Sequence, residues 1–302
     1  MQSLILKSED VILLPEYICN VVLHPLNQLG ILYTFYPVDA GLKPRWDELD
    51  SLVSAKTKAV MMVHFFGKSQ DISAFQVFCS KHNLLLIDNN AHGHGGTFNG
   101  QPLGSFGDIG ISSPRKILNT FSGGLLWLRN IDLKFILDLQ PFPVSFKQHV
   151  KRKIFNSYPL LKNSIRKTLK NRPKYEDPWA CRELVISDYT IDKWSKEVIE
   201  HTDWDKPRNT RQESYHRWQG FAMNNGLKPV FKELHPEAIP WCFPAYAKDQ
   251  QEAIRWFDWG WENNVNIFSW PTLPKKIINE NGSALKCWEK LICFSTEDNY
   301  KE

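Results

Sequence analysis

Between Leu84 and Leu128 the chain gathers most of the residue types that could do chemistry. Asp88, Asn89 and Asn90 close an apolar run, His92 and His94 follow among Gly93, Gly95 and Gly96, and Lys116 stands directly after Ser112-Ser113-Pro114-Arg115. In open α/β sheets, a polar cluster at the carboxyl end of a buried strand is where ligands bind. Three chemistries compete for this set. A dinucleotide loop needs Gly-x-Gly-x-x-Gly, but Phe98 occupies the third glycine position and no helical pattern follows. A metal could take His92 and His94 with Asp88, since His-x-His on an extended segment puts both rings on one side. No further histidine or carboxylate at a suitable spacing completes that set, so no metal is expected. The third chemistry is capture of an aldehyde cofactor by Lys116. A lysine amine must lose its proton before attacking an aldehyde, and a neighbouring cation, here Arg115, together with desolvation favours that state.

The elements that must position these residues read as a layered sheet. Short apolar runs at Val11–Leu14, Leu32–Val38, Ala59–Phe66 and Leu84–Ile87 predict strands buried on both faces. Trp46–Ala55 and Ile72–His82 carry apolar residues at helical spacing, with Asp71 as a candidate N-cap for the second. The resulting β-α-β-α-β order predicts a mostly parallel sheet. After Leu128 the texture changes. Residues Lys147 to Lys174 hold ten Lys or Arg and no acid, so the remainder is net acidic. Leu161, Ile165 and Leu169, four apart behind Pro159, predict an amphipathic helix there with a basic outer face. No aromatic interleaving points to nucleic acid. From about Asp205, helical patterns at Gln212–Asn224 and Asp249–Glu262 mix with strand-like runs, and Trp256, Trp259 and Trp261 read as core filler. The expected organisation is a large α/β domain over 1–130, a helical basic connector over 131–204 and a smaller α+β domain over 205–302.

The 302 residues carry a net charge of +4 and are 42% hydrophobic, an ordinary globular composition that excludes disordered and fibrous classes. No apolar run is long enough for a membrane span, and the N-terminus meets acidic residues too early for a signal peptide, so a cytoplasmic location is expected. Six scattered cysteines without a Cys-x-x-Cys pair fit a reducing compartment.

The order of several blocks resembles the DegT/DnrJ/EryC1/StrS family of pyridoxal-phosphate-dependent sugar aminotransferases, of the type I aminotransferase fold. The blocks are ILLPEYIC, KTKAVMMVHFFGKSQDI, HNLLLIDNNAHGHGG and GQPLGSFGDIGISSPRK with its following Gly-Gly, and more loosely RNTRQESYHRW and WPTLP. The resemblance implies a three-layer sandwich, pyridoxal 5'-phosphate as cofactor, and Lys116 as the imine-forming lysine that then shuttles a proton. It implies Ser112 or Ser113 near the cofactor phosphate or the lysine, His92 beside the ring hydroxyl, and a homodimer using a nucleotide sugar and an amino-acid donor. Arg208, Arg211 or the basic Lys147 to Lys174 stretch are carried as candidates for the anionic nucleotide.

Three departures from the family pattern stand out. Where the family strand ends in Glu-Asp, this chain has Asp88-Asn89, so Asn89 takes the position of the aspartate that pairs with the ring nitrogen. An amide hydrogen-bonds but brings no charge, and slower abstraction of the substrate proton is expected. Asp88 is carried as a further cofactor-binding candidate: successive strand residues face opposite sides, so it substitutes only if the strand end is distorted. Cys19 falls where many relatives stack an aromatic ring. The chain is also expected to be short at its N-terminus, where relatives carry a phosphate-binding helix start. The expected function is amination of a keto-sugar nucleotide in polysaccharide or amino-sugar biosynthesis; the alternative is a catalytically impaired or inactive member serving as a binding or regulatory subunit.

Overall fold

The computed structural model describes residues 6–129, 139–148, 150, 175 and 189–297. Its centre is a six-stranded sheet in the order β2-β1-β3-β4-β7-β8. These strands are β1 (Val11–Pro15), β2 (Leu32–Tyr36), β3 (Thr57–Val63), β4 (Leu85–Asn90), β7 (Ile109–Ser112) and β8 (Leu125–Leu128). A two-stranded ribbon, β5 (Thr97–Phe98) with β6 (Gln101–Pro102), lies between β4 and β7 in the chain. All pairings in the main sheet are parallel except β7 with β8. Helices α1 (Leu23–Gln28), α2 (Trp46–Ser51) and α3 (Ile72–His82) connect the strands. The Asp71 side chain caps α3 as expected, accepting from the Ala74 amide at 3.0 Å.

Several element ends differ from the sequence reading, β2 stopping at Tyr36 and α2 at Ser51 among them, and two of the differences shape the site. The Ala59–Phe66 run leaves the sheet after Val63, because Phe66 (φ 57°) and Gly67 (φ 91°) turn the chain through left-handed geometry. A Cβ on Gly67 would come within 2.5 Å of the Ile239 carbonyl oxygen, so only glycine fits this approach. Conversely, the Leu84–Ile87 run continues through the polar residues to Asn90. Register with β7 holds it there: Asp88 lies opposite Gly110, Asn89 opposite Ile111 and Asn90 opposite Ser112.

After a short parallel pair, β9 (Gln140–Pro141) with β10 (Tyr189–Thr190), the second half contains a four-stranded sheet in the order β11-β12-β14-β13, built from Lys228–Pro229, Cys242–Tyr246, Leu291–Ser295 and Ile267–Phe268. Against it lie the 20-residue helix Asp205–Asn224 and the helix Gln250–Glu262, the latter capped by Asp249 through the Glu252 amide. The longer helix begins seven residues before the expected Gln212; Pro207 is no obstacle in a first turn, where its missing N–H has no intrahelical partner. Phe221 packs against Trp256 and Trp259, the filler role expected of those tryptophans. The main core runs from Ile12, Leu14 and Val60 to Leu273, Trp288 and Cys293, so the last strands close over the central sheet. Apart from Lys147, Gln148 and Val150, the basic stretch and its expected helix lie outside the described residues. Cys181 is also outside them, and the other five cysteines are free. Among the described residues no helix is long and apolar enough to cross a membrane.

Candidate functional site

Lys116 ends a single 3-10 turn, Pro114–Lys116, that follows β7. Proline fixes the start of the turn, and the Lys116 amide closes it on the Ser113 carbonyl at 3.2 Å. The side chain runs inward to an aromatic wall. Its Nζ sits 3.7 Å from the centroid of the Trp241 ring and 5.7 Å from that of Trp270. Such a contact is favourable for the cation but offers no hydrogen-bond acceptor. Burial pulls the amine pKa down to about 8; the Cys19 thiol works against that shift and the Arg115 guanidinium works with it.

His92 completes the wall. It is buried, stacks on Trp241 at 4.9 Å and meets Trp270 edge-on at 4.4 Å. Its Nδ1 accepts from the Phe66 amide at 3.1 Å, which places the proton of the neutral ring on Nε2. Burial holds its pKa well below the usual histidine range, and the Lys116 charge adds to the effect. The surroundings of Lys116 therefore combine a nucleophile of lowered basicity, a neutral histidine with one free donor nitrogen, and flat aromatic surfaces. A flat aromatic aldehyde is the kind of molecule whose chemistry matches this set.

Asp88 belongs to a different environment. Its Oδ1 is 2.9 Å from Nε2 of the equally buried His64, and its Oδ2 accepts from the amides of Gly104 and Phe106 at 3.1 and 3.0 Å. His64 Nδ1 accepts from the Gln70 amide, so its Nε2 carries the proton facing Asp88. Asn90 uses the same face, donating to the Gly93 and Leu103 carbonyls. Asn89 points away from them. Its Oδ1 accepts from the Ala91 amide at 3.0 Å and its Nδ2 is 3.6 Å from Met61 Sδ. Opposite facing of Asp88 and Asn89, as strand alternation requires, keeps the Asp88 charge on its own side.

The remaining expected residues separate. Ser112 is buried and bonds His94 Nδ1 at 2.9 Å. Ser113 contributes its carbonyl to the lysine turn. His94 packs against Trp204 and has its pKa lowered to about 4 by burial. His92 and His94 thus have separate structural partners, and no cluster of metal-ligating side chains occurs among the described residues. Cys19 is half-buried with Sγ 3.6 Å from Thr272 Oγ1. Arg208 is held by Asp205 at 2.6 Å. Arg211, expected to meet a nucleotide, is only 4% exposed and directs its guanidinium at protein oxygens. Beyond the turn, a cleft of about 650 Å3 is lined by Arg115, Asn119, Lys206, Thr210 and Glu297, with Arg211 at its base. Sequence reading missed Trp241 and Trp270 as site residues. Trp270 was within reach, since it opens the WPTLP block; for Trp241 no local pattern distinguishes it from the other tryptophans.

Comparison with known proteins matches residues 1–145 to the DegT/DnrJ/EryC1/StrS aminotransferase family. GDP-perosamine synthase of Vibrio cholerae is 29% identical over 129 residues, covering 42% of this chain and 35% of that protein. Lipopolysaccharide biosynthesis protein RfbH of Salmonella typhimurium is 31% identical over 124 residues, covering 38% of this chain and 27% of that protein. The matched sequence spans about a third of these relatives' length. The solved structure of Helicobacter pylori PseC, an aminotransferase involved in the biosynthesis of pseudoaminic acid, superposes with a TM-score of 0.65 at 14% identity, covering 96% of this chain and 76% of that one. The chain has the type I aminotransferase fold.

Proposed function

We propose that this chain is a pyridoxal-phosphate-dependent aminotransferase acting on a keto-sugar nucleotide with an amino-acid donor such as glutamate, and that it works as a homodimer. The observation that carries this reading is the half-buried Lys116 amine, its pKa lowered to about 8, set against Trp241 beside neutral His92. When bound, pyridoxal phosphate supplies an aldehyde and an electron-withdrawing ring. Lys116 would hold it at the aldehyde carbon, and the aromatic wall of Trp241 and Trp270 would exclude water. Once displaced, the Lys116 amine is a base able to take a proton from a substrate carbon and return it, which a pKa near working pH favours. His92 would donate through Nε2 to an oxygen on the ring. Arg115 and Lys206 at the outer cleft are the cations best placed for a nucleotide phosphate, while Ser112 is engaged with His94.

A second reading has its own observation. Asn89 supplies no charge where the family aspartate would, and Asp88 is fixed on the opposite face by His64 and two amides. A protein that binds the cofactor but transfers amino groups slowly, serving as a binding or regulatory subunit, fits that arrangement. Incubating loaded protein with glutamate, assaying 2-oxoglutarate, and then adding keto-sugar nucleotides with mass-spectrometric detection of an amino sugar separates the two. Stoichiometric oxo acid followed by amino sugar supports the aminotransferase; retained cofactor without either product supports the subunit.

A further inference from the structure

Arg211 is the most heavily engaged charged residue around the Lys116 turn, and neither catalytic reading above uses it. It lies on the long helix, buried, and its guanidinium reaches three separate segments. Nη2 donates to the Ile117 carbonyl at 2.9 Å, immediately after Lys116. Nη1 donates to the Trp241 carbonyl at 3.3 Å and to Thr296 Oγ1 at 2.9 Å. The Thr296 hydroxyl in turn donates toward the Pro240 and Trp241 carbonyls at 2.8 and 2.9 Å. Glu297, half exposed, meets Nη2 at 3.2 Å from the cleft side. A planar fork is suited to holding several oxygens at fixed angles, and lysine cannot reproduce it. The two ends it joins are the turn that carries the amine and the residue whose ring that amine touches.

We infer that Arg211 is a positioning residue that fixes the Lys116 turn against Trp241 and so holds the amine in its desolvated place. The inference rests on the proposed role of Lys116, but it concerns the protein without cofactor and is tested there. The charged and titratable groups that face the amine are Arg115 on its own turn, His92 from the loop after β4, Cys19 after β1, and Cys242 and Cys293 from β12 and β14. None of them moves in sequence when Arg211 is replaced, so a change in the amine's titration reports position.

The experiment is competitive acetic-anhydride labelling of the cofactor-free protein across a pH series, with the Lys116 peptide quantified against exposed-lysine peptides by mass spectrometry. Wild type is expected to show a Lys116 midpoint near 8. In Arg211→Lys the midpoint is expected to rise by at least one unit, equivalent to labelling about tenfold slower at pH 7. Circular dichroism checks folding. If Arg211→Lys does not fold, Thr296→Val removes the hydroxyl that joins the same carbonyls and is expected to shift the midpoint in the same direction. An unchanged midpoint in folded Arg211→Lys, or in Thr296→Val where the first variant fails, overturns the inference. Because no cofactor is present, failure of the protein to bind pyridoxal phosphate would leave this result intact and speak only against the functional reading.

Discussion

Asp88 and Lys116 sit at the same end of one sheet and are treated in opposite ways. Asp88 is engaged inside the protein, its Oδ2 accepting from two backbone amides and its Oδ1 in a 2.9 Å charge contact with His64 Nε2 that is not a hydrogen bond. Lys116 has its amine against an aromatic face, with no hydrogen-bonding or ion-pairing partner among the described residues. Buried polar groups tied to the backbone hold a fold together, whereas a half-buried amine set against aromatic rings is held ready for something else. The contrast separates structural from chemical residues where a list of polar side chains would group them.

The largest expected effect breaks the structural side. Asp88→Ala removes the carboxylate beside His64 and leaves the Gly104 and Phe106 amides without an acceptor, and should cost about 3–5 kcal/mol in denaturant unfolding, as for other buried pairs stripped of one partner. A cost under 1 kcal/mol would show that the pair does not hold the strand end. Next in size, Asn89→Asp places a carboxyl in a site where Asn89 now has only an amide neighbour and a thioether. It should lower stability by about 1–3 kcal/mol, while raising the rate of amino transfer from glutamate in loaded protein if Asn89 is what slows it. Equal rates would remove Asn89 from the explanation.

A third test sharpens the chemical side. The Lys116 pKa is about 8 in the folded protein, against about 10.4 in an unfolded chain. Between these values the unfolded state binds more protons, so Lys116 makes stability rise with pH, by at most about 1.4 kcal/mol per unit. Below pH 8 its penalty is fully present. Lys116→Met should therefore be at least as stable as wild type at pH 7, with the difference shrinking as pH climbs through that window. Parallel stability curves from pH 7 to 11 would count against a desolvated amine.

How legible this was from sequence depended on range. The strands, α3 and its Asp71 cap follow from local periodicity, and Lys116, His92 and Asn89 follow from the order of blocks along the chain. The extension of β4 to Asn90 did not, because it depends on register with β7, formed some twenty residues later. Arg211 read as a substrate contact because an arginine pair on a helix gives no sign of burial; only the fold brings it to Ile117 and Trp241. Trp241 likewise becomes a site residue through the approach of the second sheet. Gly95, weighed and rejected for a dinucleotide loop, is explained by packing: a Cβ there would strike the Trp204 ring.

The most direct measurement is a spectral titration of wild type and Lys116→Ala with pyridoxal phosphate, followed by borohydride reduction and peptide mapping. Lys116 as the cofactor-holding residue requires one reduced adduct, on the peptide containing Lys116, absent from Lys116→Ala. A label spread over surface lysines, or identical in the two proteins, would contradict it.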